Sequence, residues 1–245
     1  KQSNQITDIF GRKHDYLRIS LTDRCNLRCT YCMPEEGVAL RPRNEFMTSE
    51  EIIKIASTFV GLGVKKIRLT GGEPLIKKDF NNILNQLSKL GVEIFITTNG
   101  ILLHKYFDAL LKAGVSKINI SLDTLIKQKF NLLTRRDHFD LVNQNIEKAI
   151  KLFDEVKLNV VLIKGKNDDE LIDFIELTRQ KKINIRFIEY MPFDGNKWRK
   201  DLTVTQCDID RIVNAEYESS CIKLKDELNS TSKNFKIENY IGTFG

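Results

Sequence analysis

Three cysteines lie close together after a strand-like apolar segment: Cys25, Cys29 and Cys32, in the pattern CxxxCxxC. Three thiolates can bind one metal centre but leave one coordination position open, because closed sites use four protein ligands. A 4Fe-4S cluster bound in this way keeps one iron available for another ligand. A structural zinc ion would need a fourth ligand from elsewhere in the chain, where the candidates are His14, Cys207 and Cys221. No second CxxC pair accompanies the triplet, so the spacing favours the cluster over structural zinc or three buried thiols.

A second pattern, Thr70-Gly71-Gly72-Glu73-Pro74, ends another strand-like segment. Two glycines allow the backbone to approach a ligand closely. Glu before Pro favours an extended turn whose carbonyl groups can accept hydrogen bonds from an ammonium group. Taken alone, the pattern is typical of an ordinary turn between a strand and a helix. Because it follows a CxxxCxxC loop on the preceding strand, it indicates a binding site more specifically.

Four different strand segments contribute cationic side chains to one face, namely Arg18, Arg68, Lys164 and Arg186. Cations that face inward need a counter-charge, because an unpaired buried charge is very costly. A triphosphate would supply it, since arginine binds phosphate through forked donors and lysine as a point charge. The sequence has no glycine-rich phosphate loop, which argues against hydrolysis of the P-loop type.

The composition indicates a globular protein that is not exported. The 245 residues include 39 Lys+Arg and 33 Asp+Glu, a formal charge of +6, and 41% are apolar, which fits one large α/β domain. No apolar run reaches the roughly 18 residues of a membrane span, and the polar N-terminus does not resemble a signal peptide. Five cysteines in such a chain favour metal binding or catalysis over disulfides, so we expect a cytoplasmic location. The cations are dispersed, so neither a nucleic acid nor a membrane is expected as a partner.

The segments that must position these residues alternate between strand and helix patterns. Short apolar runs predict six strands, at Tyr16–Leu21, Lys66–Thr70, Glu93–Thr98, Lys117–Ser121, Lys157–Ile163 and Asn184–Tyr190. Apolar residues spaced by three or four predict five helices between them, within 52–60, 80–90, 103–111, 139–153 and 171–175. Thr48 and Glu51 form a capping-box pattern for the first of these helices. Strand alternating with helix predicts βαβ units and a parallel sheet.

Polar residues alternate with apolar ones along several of these strands, for example Arg68 and Thr70, or Asn119 and Ser121. Strands buried on both faces would instead be almost continuously apolar. The pattern therefore favours an α/β fold in which residues 10–191 form an open, partial (βα)6 TIM-like barrel with its site at the carboxyl ends of the strands. Residues 192–245 are expected to begin a C-terminal extension with a turn at 192–196, a short helix near Asp208–Val213 and a polar stretch around Asp226–Lys233 bounded by strand-like segments.

Taken together, these motifs resemble the radical S-adenosylmethionine (SAM) superfamily and, within it, the GTP 3′,8-cyclase family. The resemblance is carried by Leu17–Pro34, Lys66–Leu75, Thr97–Gly100, Ile118–Asp123 and Ile185–Met191. It implies a 4Fe-4S cluster on Cys25, Cys29 and Cys32, whose open iron binds the amino and carboxylate groups of SAM. The remaining SAM contacts implied by the resemblance are Tyr31, Gly72, Ser121 and Met191. The implied GTP contacts are Arg18, Arg68, Thr97 and Lys164. Lys66 and Arg186 are secondary candidates for GTP contacts, the alternative being internal ion pairs, for example with Glu73 or Glu189.

The resemblance also implies an activity and its partners. A reduced cluster would cleave SAM, and the resulting 5′-deoxyadenosyl radical would take hydrogen from C3′ of GTP. Closure onto C8 of guanine would give (8S)-3′,8-cyclo-7,8-dihydroguanosine 5′-triphosphate, in the first step of molybdenum cofactor biosynthesis. An electron donor of the flavodoxin or ferredoxin type and a homodimer are expected on the same grounds.

The sequence departs from the family pattern near its end. The family carries a second cysteine triplet that binds another 4Fe-4S cluster, whereas Cys207 and Cys221 have the wrong spacing for it. We therefore expect this chain to be truncated before that region and, if nothing follows it, to bind SAM without effective turnover of GTP.

Two other functions are compatible with parts of the pattern. The chain could be another radical SAM enzyme that modifies a peptide or an RNA, in which case GTP should bind no better than other anions. It could also be a non-catalytic module that binds zinc or RNA, which predicts one colourless zinc per chain and RNA binding that weakens steeply with salt.

Overall fold

A computed structural model describes residues 5–37, 39, 41–193, 196–226 and 232–245. The chain divides into two compact units, which are described separately. The first comprises Lys1–Asn26 and Ala39–Asn119, and the second comprises Leu27–Val38 and Ile120–Gly245. Strand β4 (Lys117–Ser121) contains the boundary between them.

The first unit is built from strand-helix repeats. Its elements are β1 (Tyr16–Ser20), α1 (Ser49–Gly61), β2 (Lys66–Thr70), α2 (Phe80–Ser88), β3 (Glu93–Thr98) and α3 (Phe107–Lys112). The strands are parallel in the order β1-β2-β3, with Arg18 opposite Arg68 and Arg68 opposite Phe95. Helix α1 begins with the predicted capping box, in which Thr48 and Glu51 each bind the other's backbone N–H.

The second unit continues the alternation of strands and helices, and its last part adds a helix and three short strands. Its elements are α4 (Lys127–Thr134), α5 (Phe139–Leu152), β5 (Glu155–Leu162), α6 (Leu171–Glu176), β6 (Ile183–Glu189), α7 (Gln206–Tyr217), β7 (Cys221–Lys223), β8 (Phe235–Ile237) and β9 (Thr243–Phe244). Strands β5 and β6 are parallel, β9 runs parallel to β6, and the β7-β8 hairpin pairs with β9 in the antiparallel sense.

Strand alternation divides buried from accessible side chains, as predicted. Along β5 every second residue is buried, and β2 and β4 bury Ile67, Leu69, Ile118 and Ile120 while the residues between them stay partly accessible. The buried set packs against the amphipathic helices, which bury side chains such as Phe80 of α2. The other face of these strands carries Arg68, Thr70 and Ser121, so polar groups lie at the carboxyl ends of the strands.

The structure adds elements that the sequence pattern did not predict. Helix α4 was not predicted, and it is short and buries only Phe130, Leu133 and Thr134. Helix α7 was predicted near 208–213 and is twice as long as that segment. Strand β9 has two residues and depends on pairing with a distant strand, so no local periodicity marks it. Part of the predicted turn at 192–196 and part of the polar stretch at 226–233 lie outside the described residues. The predicted division of the chain at residue 191 stays a prediction.

Candidate active site

Backbone hydrogen bonds in the first unit connect the segment before Cys25 to the turn after β2. The N–H of Gly72 donates to the carbonyl of Thr22 at 2.6 Å, and the N–H of Glu73 donates to the carbonyl of Arg24 at 2.7 Å. These bonds extend the β1-β2 ladder past both strand ends. They fix the backbone of the residue that immediately precedes Cys25.

Gly71 and Gly72 make this contact possible. A Cβ on Gly72 would lie 2.2 Å from the carbonyl oxygen of Arg24, and one on Gly71 would lie 2.6 Å from that of Thr22. Both neighbours are backbone atoms, which cannot rotate away as a flexible side chain could. The two glycines were expected to let the backbone approach a ligand, and the structure shows that they let it approach the segment leading to Cys25.

Glu73 is fully buried and joins the carboxyl ends of β2 and β3. Its carboxylate accepts hydrogen bonds from the backbone N–H of Leu75 at 3.1 Å, the hydroxyl of Thr98 at 2.8 Å and the backbone N–H of Asn99 at 2.7 Å. Burial raises the pKa of Glu73 to about 6, against the lowering effect of these donors. The expected ion pair with Lys66 does not form among the described residues, because Lys66 begins β2 and Glu73 lies seven residues further along the extended chain.

Asn99, directly after β3, reaches the first cysteine of the triplet. Its Nδ2 lies 3.7 Å from Sγ of Cys25 and donates to Oδ1 of Asn26 at 2.7 Å. An amide N–H directed at a sulfur atom stabilises a thiolate, and hydrogen bonds to cysteine sulfurs are a means of tuning iron–sulfur clusters. In the sequence Asn99 stands only within the Thr97–Gly100 motif, and its separation of 74 positions from Cys25 explains why no local pattern indicates this contact.

In the second unit, helix α4 supports the part of the loop that carries Cys29 and Cys32. The carbonyls at the end of α4 accept from this loop, Leu133 from the N–H of Thr30 at 2.8 Å and Thr134 from the N–H of Arg28 at 3.0 Å. Arg135, which follows the last helical residue, has a left-handed backbone that ends α4. Its guanidinium donates to the carbonyl of Arg28 at 2.9 Å. The carbonyls that an α-helix leaves unpaired at its end are thus used to position the loop.

Tyr31, between the second and third cysteines, is held by a buried carboxylate. Its hydroxyl donates to Oδ2 of Asp123 at 2.7 Å, and Oδ1 of Asp123 accepts from the N–H of Val161 at 2.9 Å. Burial raises the pKa of Asp123 to about 6. Burial also raises the pKa of Tyr31, and the charge of Asp123 adds to that effect.

The loop after β6 also contacts Tyr31. Nδ2 of Asn196 donates to the backbone carbonyl of Tyr31 at 3.0 Å and to that of Met191 at 3.1 Å. The Met191 side chain is 45% exposed, so it is not a core methionine. Ser121, at the carboxyl end of β4, is also partly accessible.

Two of the predicted phosphate-binding arginines stand side by side in the first unit. Arg18 and Arg68 are direct partners in the β1-β2 register. Nη1 of Arg68 donates to the hydroxyl of Thr97 at 3.2 Å, and its guanidinium also bonds Tyr16. Arg18 is exposed, so the expected cost of burying an unpaired charge does not apply to it. Like charges directly opposite each other on neighbouring strands repel, and an anion between them relieves that repulsion.

The other two cations belong to the second unit and differ from each other. Lys164 was predicted on a strand face, but β5 ends at Leu162 and Lys164 lies exposed in the following turn, where its N–H donates to the carbonyl of Leu202 at 2.9 Å. Arg186 on β6 donates from Nη2 to Asn234 at 3.2 Å, while its buried Nη1 has no hydrogen-bond partner within the described part of the chain. The expected pair of Arg186 with Glu189 does not form there, because residues three apart on a strand face opposite sides.

The remaining cysteines lie away from the triplet in sequence and within other elements. Cys207 is exposed on α7, and Cys221 begins β7, where burial raises the pKa of its thiol. All five cysteines are free of disulfides. Among the described residues, no three histidine, cysteine, aspartate or glutamate side chains are grouped to hold a single metal ion. None of the described helices is long and apolar enough to span a membrane.

The model of the Radical SAM superfamily matches residues 19–178 of this chain. The chain belongs to the radical SAM superfamily. It is 45% identical over 253 residues to a GTP 3′,8-cyclase of Listeria welshimeri, and the match covers 98% of this chain and 73% of that protein. It therefore also belongs to the GTP 3′,8-cyclase family, as the motifs predicted.

Eukaryotic relatives are equally similar but longer. The chain is 49% identical over 245 residues to the mitochondrial GTP 3′,8-cyclase of Arabidopsis thaliana, with 98% of this chain and 62% of that protein covered. It is 50% identical over 240 residues to molybdenum cofactor biosynthesis protein 1 of Homo sapiens, with 97% of this chain and 38% of that protein covered. The chain thus spans between about four and six tenths of the length of these two relatives.

Solved structures support the fold. Streptococcus suis SuiB bound to S-adenosylmethionine has a TM-score of 0.60 at 22% identity, covering 82% of this chain and 46% of that one. The protein anSMEcpe with bound AdoMet has a TM-score of 0.61 at 17% identity, covering 84% and 57%. This radical SAM protein therefore has the expected α/β fold with a parallel sheet, consistent with a partial TIM-like barrel.

The donor set of this radical SAM protein fits the cofactors of its superfamily. Membership supports SAM and a 4Fe-4S cluster as cofactors. Three thiols within eight residues supply the soft ligands that iron–sulfur clusters use, and the amide of Asn99 faces one of the three sulfurs. The structure brings Arg18, Arg68 and Thr97 together, and it ties Tyr31 to Asp123 and Asn196. In the sequence Asp123 stands only at the end of the Ile118–Asp123 motif, and Asn196 only in the predicted turn at 192–196.

Proposed function

We propose that this chain acts in the radical SAM conversion of GTP to (8S)-3′,8-cyclo-7,8-dihydroguanosine 5′-triphosphate, the first step of molybdenum cofactor biosynthesis. The observation that carries this proposal is the pairing of Arg18 with Arg68, with Thr97 bonded to Arg68, on the strands that lead into the cysteine loop and the Gly71-Gly72 turn. A pair of guanidinium groups suits the oxygens of a triphosphate. Support also comes from the relatives named GTP 3′,8-cyclase.

Cys25, Cys29 and Cys32 would hold the 4Fe-4S cluster, and Tyr31, Gly72, Ser121 and Met191 would contact SAM. When bound, the reduced cluster and SAM would supply a 5′-deoxyadenosyl radical able to remove hydrogen from C3′ of GTP, which allows C3′ to bond to C8 of guanine. The guanine radical that remains would take up one electron, from the donor proposed below, and one proton to give the 7,8-dihydro product. Within this scheme Arg18 and Arg68 bind phosphate, and Lys164 adds a point charge. Thr97 also contacts GTP and orients Arg68, to which it is bonded. The chain's residues thus bind and orient the reactants and exclude water.

We further propose an electron donor of the flavodoxin or ferredoxin type, a homodimer and a cytoplasmic location. The second 4Fe-4S cluster of the family is not assigned to Cys207 and Cys221, since they are 14 positions apart on α7 and β7 and lack its spacing.

The proposal is tested by following one hydrogen atom. The chain is reconstituted with iron and sulfide without oxygen, reduced, and given SAM with GTP deuterated at C3′. We expect deuterium in the 5′-deoxyadenosine formed in a single turnover, as measured by mass spectrometry, and much less 5′-deoxyadenosine when ATP replaces GTP. This transfer does not require sustained turnover of GTP. Deuterium-free 5′-deoxyadenosine formed equally well with ATP would contradict GTP as the substrate and favour another radical SAM reaction.

A further inference from the structure

Tyr31 is fixed at both its side chain and its backbone by residues from other parts of the second unit. Its hydroxyl bonds Asp123, which follows β4, and its carbonyl bonds Asn196, which follows β6. Tyr31 is therefore restrained from two directions before any ligand binds.

The partners of Tyr31 are themselves immobilised. Asp123 is 6% exposed and accepts from Val161 of β5 as well as from Tyr31. Nδ2 of the fully buried Asn167 donates to the backbone carbonyl of Asp123 at 2.6 Å, and Oδ1 of Asn167 accepts from the N–H of Ile163 at 2.8 Å. Asp123 is thus held at its carboxylate by Val161 and at its backbone carbonyl by Asn167, so it has little freedom to follow a moving tyrosine.

Asn196 links Tyr31 to a second residue assigned to SAM. The same Nδ2 atom donates to the carbonyls of Tyr31 and Met191. Oδ1 of Asn196 accepts from the N–H groups of Phe193 at 3.2 Å and Trp198 at 3.3 Å, which fixes the orientation of the amide. The backbones of Tyr31 and Met191 therefore share one anchor.

We propose that Asp123 and Asn196 are positioning residues, which hold Tyr31 and Met191 in the arrangement that receives SAM. The inference rests on the proposed function, because it takes Tyr31 and Met191 as SAM contacts. Neither Asp123 nor Asn196 needs to touch SAM. Their contribution is that Tyr31 is already ordered when SAM arrives, so binding does not have to order it.

Two substitutions test the hydrogen bond between the Tyr31 hydroxyl and Asp123 separately from the bond that Asn196 makes to the Tyr31 backbone. Tyr31→Phe removes one oxygen atom, and Asp123→Asn removes the negative acceptor while keeping an oxygen for Val161 N–H. Tyr217→Phe is the matched control, because Tyr217 is likewise half-buried in the second unit and donates to a carboxylate, Glu176, at 2.7 Å. The variants and the wild type are reconstituted with iron and sulfide, and SAM affinity is read from the change in the reduced EPR spectrum.

We expect about four irons per chain in every protein, with SAM affinity reduced about tenfold in Tyr31→Phe and in Asp123→Asn. The double variant should be no weaker than Tyr31→Phe, because the two substitutions remove the same interaction. Tyr217→Phe should bind SAM as the wild type does. Asn196→Ala should weaken SAM binding in a Tyr31→Phe background as well, since it acts on the carbonyl.

Provided that the wild-type spectrum responds to SAM, three results would each overturn the positioning role alone. They are an unchanged SAM affinity in Tyr31→Phe, additive losses of SAM affinity in the double variant, and loss of iron from both Tyr31→Phe and Asp123→Asn. If Asp123→Asn does not fold, Tyr31→Phe and Asn196→Ala decide the question without it. A wild-type chain that takes up no iron, or whose spectrum ignores SAM, overturns the proposed function and this role together.

Discussion

Arg18 and Arg68 occupy facing positions on β1 and β2, and this pairing determines the first prediction. Replacing either arginine by alanine should weaken GTP binding about tenfold or more, because each removes charge-assisted hydrogen bonds to phosphate. Arg68→Lys should recover only part of the loss, since lysine lacks the forked donors. Equilibrium binding of GTP at low and moderate salt measures both effects.

The control for this measurement is Arg12→Ala in the same unit. Arg12 is exposed and pairs with Asp8 at 2.6 Å, so removing it changes the net charge equally without touching the paired strands. Equal losses in Arg12→Ala and Arg68→Ala would mean that GTP responds to net charge and not to this pair.

Gly72 provides a second prediction at the scale of a residue. Gly72→Ala places a methyl group 2.2 Å from the carbonyl of Arg24, so the two backbones must separate. We expect a loss of at least about 2 kcal/mol in the free energy of unfolding and reduced iron uptake after reconstitution. Denaturant unfolding and iron analysis measure the two effects.

Gly61→Ala is the comparison for that experiment. Gly61 is the last residue of α1, and a Cβ there meets nothing within 4 Å. Its unfolding free energy should change by no more than about 1 kcal/mol, with iron uptake unchanged. A Gly72→Ala chain as stable as Gly61→Ala would show that the tight contact is not required.

At the scale of elements, Glu73 joins the ends of β2 and β3 and makes the free energy of unfolding depend on pH. Its pKa is raised to about 6 by burial from an ordinary value of 4.5, so the folded chain binds its proton more tightly than the unfolded chain does. The contribution of Glu73 to the free energy of unfolding is therefore highest below pH 4.5 and falls by about 2 kcal/mol in total as the pH rises through 6. Well above pH 6 the contribution of Glu73 to the free energy of unfolding no longer changes.

Glu73→Gln should remove this pH-dependent fall, although the loss of an acceptor lowers stability at every pH. Denaturant unfolding at pH 4.5 and pH 6.5 is compared for the wild type, Glu73→Gln and Glu50→Gln, which alters an exposed residue in the first turn of α1. A difference between the two pH values that is the same in wild type and Glu73→Gln would contradict a raised pKa at this position.

The elements also show what local sequence patterns can predict. Strands β1 to β6 lie within a few residues of their predicted bounds, because each is an apolar alternation long enough to be distinctive. Helix α4 has few buried residues and no side-chain cap, and β7 to β9 are two or three residues long. Helix α4 and β9 depend on contacts made by other parts of the chain, which no local pattern records. Strands β7 and β8 pair with each other on either side of the polar stretch, where strand-like segments were predicted.

The same limit applies to the site. The cysteine triplet and the Gly71-Gly72 turn are contiguous motifs and were found from the sequence. Asp123 and Asn196 are ordinary polar residues in the sequence, and they meet Tyr31 across 92 and 165 positions. Functional residues that lie together in one short segment could therefore be predicted, whereas the residues that position them from distant parts of the chain could not.

At the scale of the whole molecule, the central claim is that the three cysteines bind a 4Fe-4S cluster with one iron open to SAM. The most direct measurement is anaerobic reconstitution of the 245-residue chain, with metal analysis and reduced EPR spectra with and without SAM. We predict about four irons per chain and a spectrum that shifts when SAM is added. One zinc per chain, or a cluster whose spectrum is indifferent to SAM, would contradict the claim and leave the resemblance as one of fold without function.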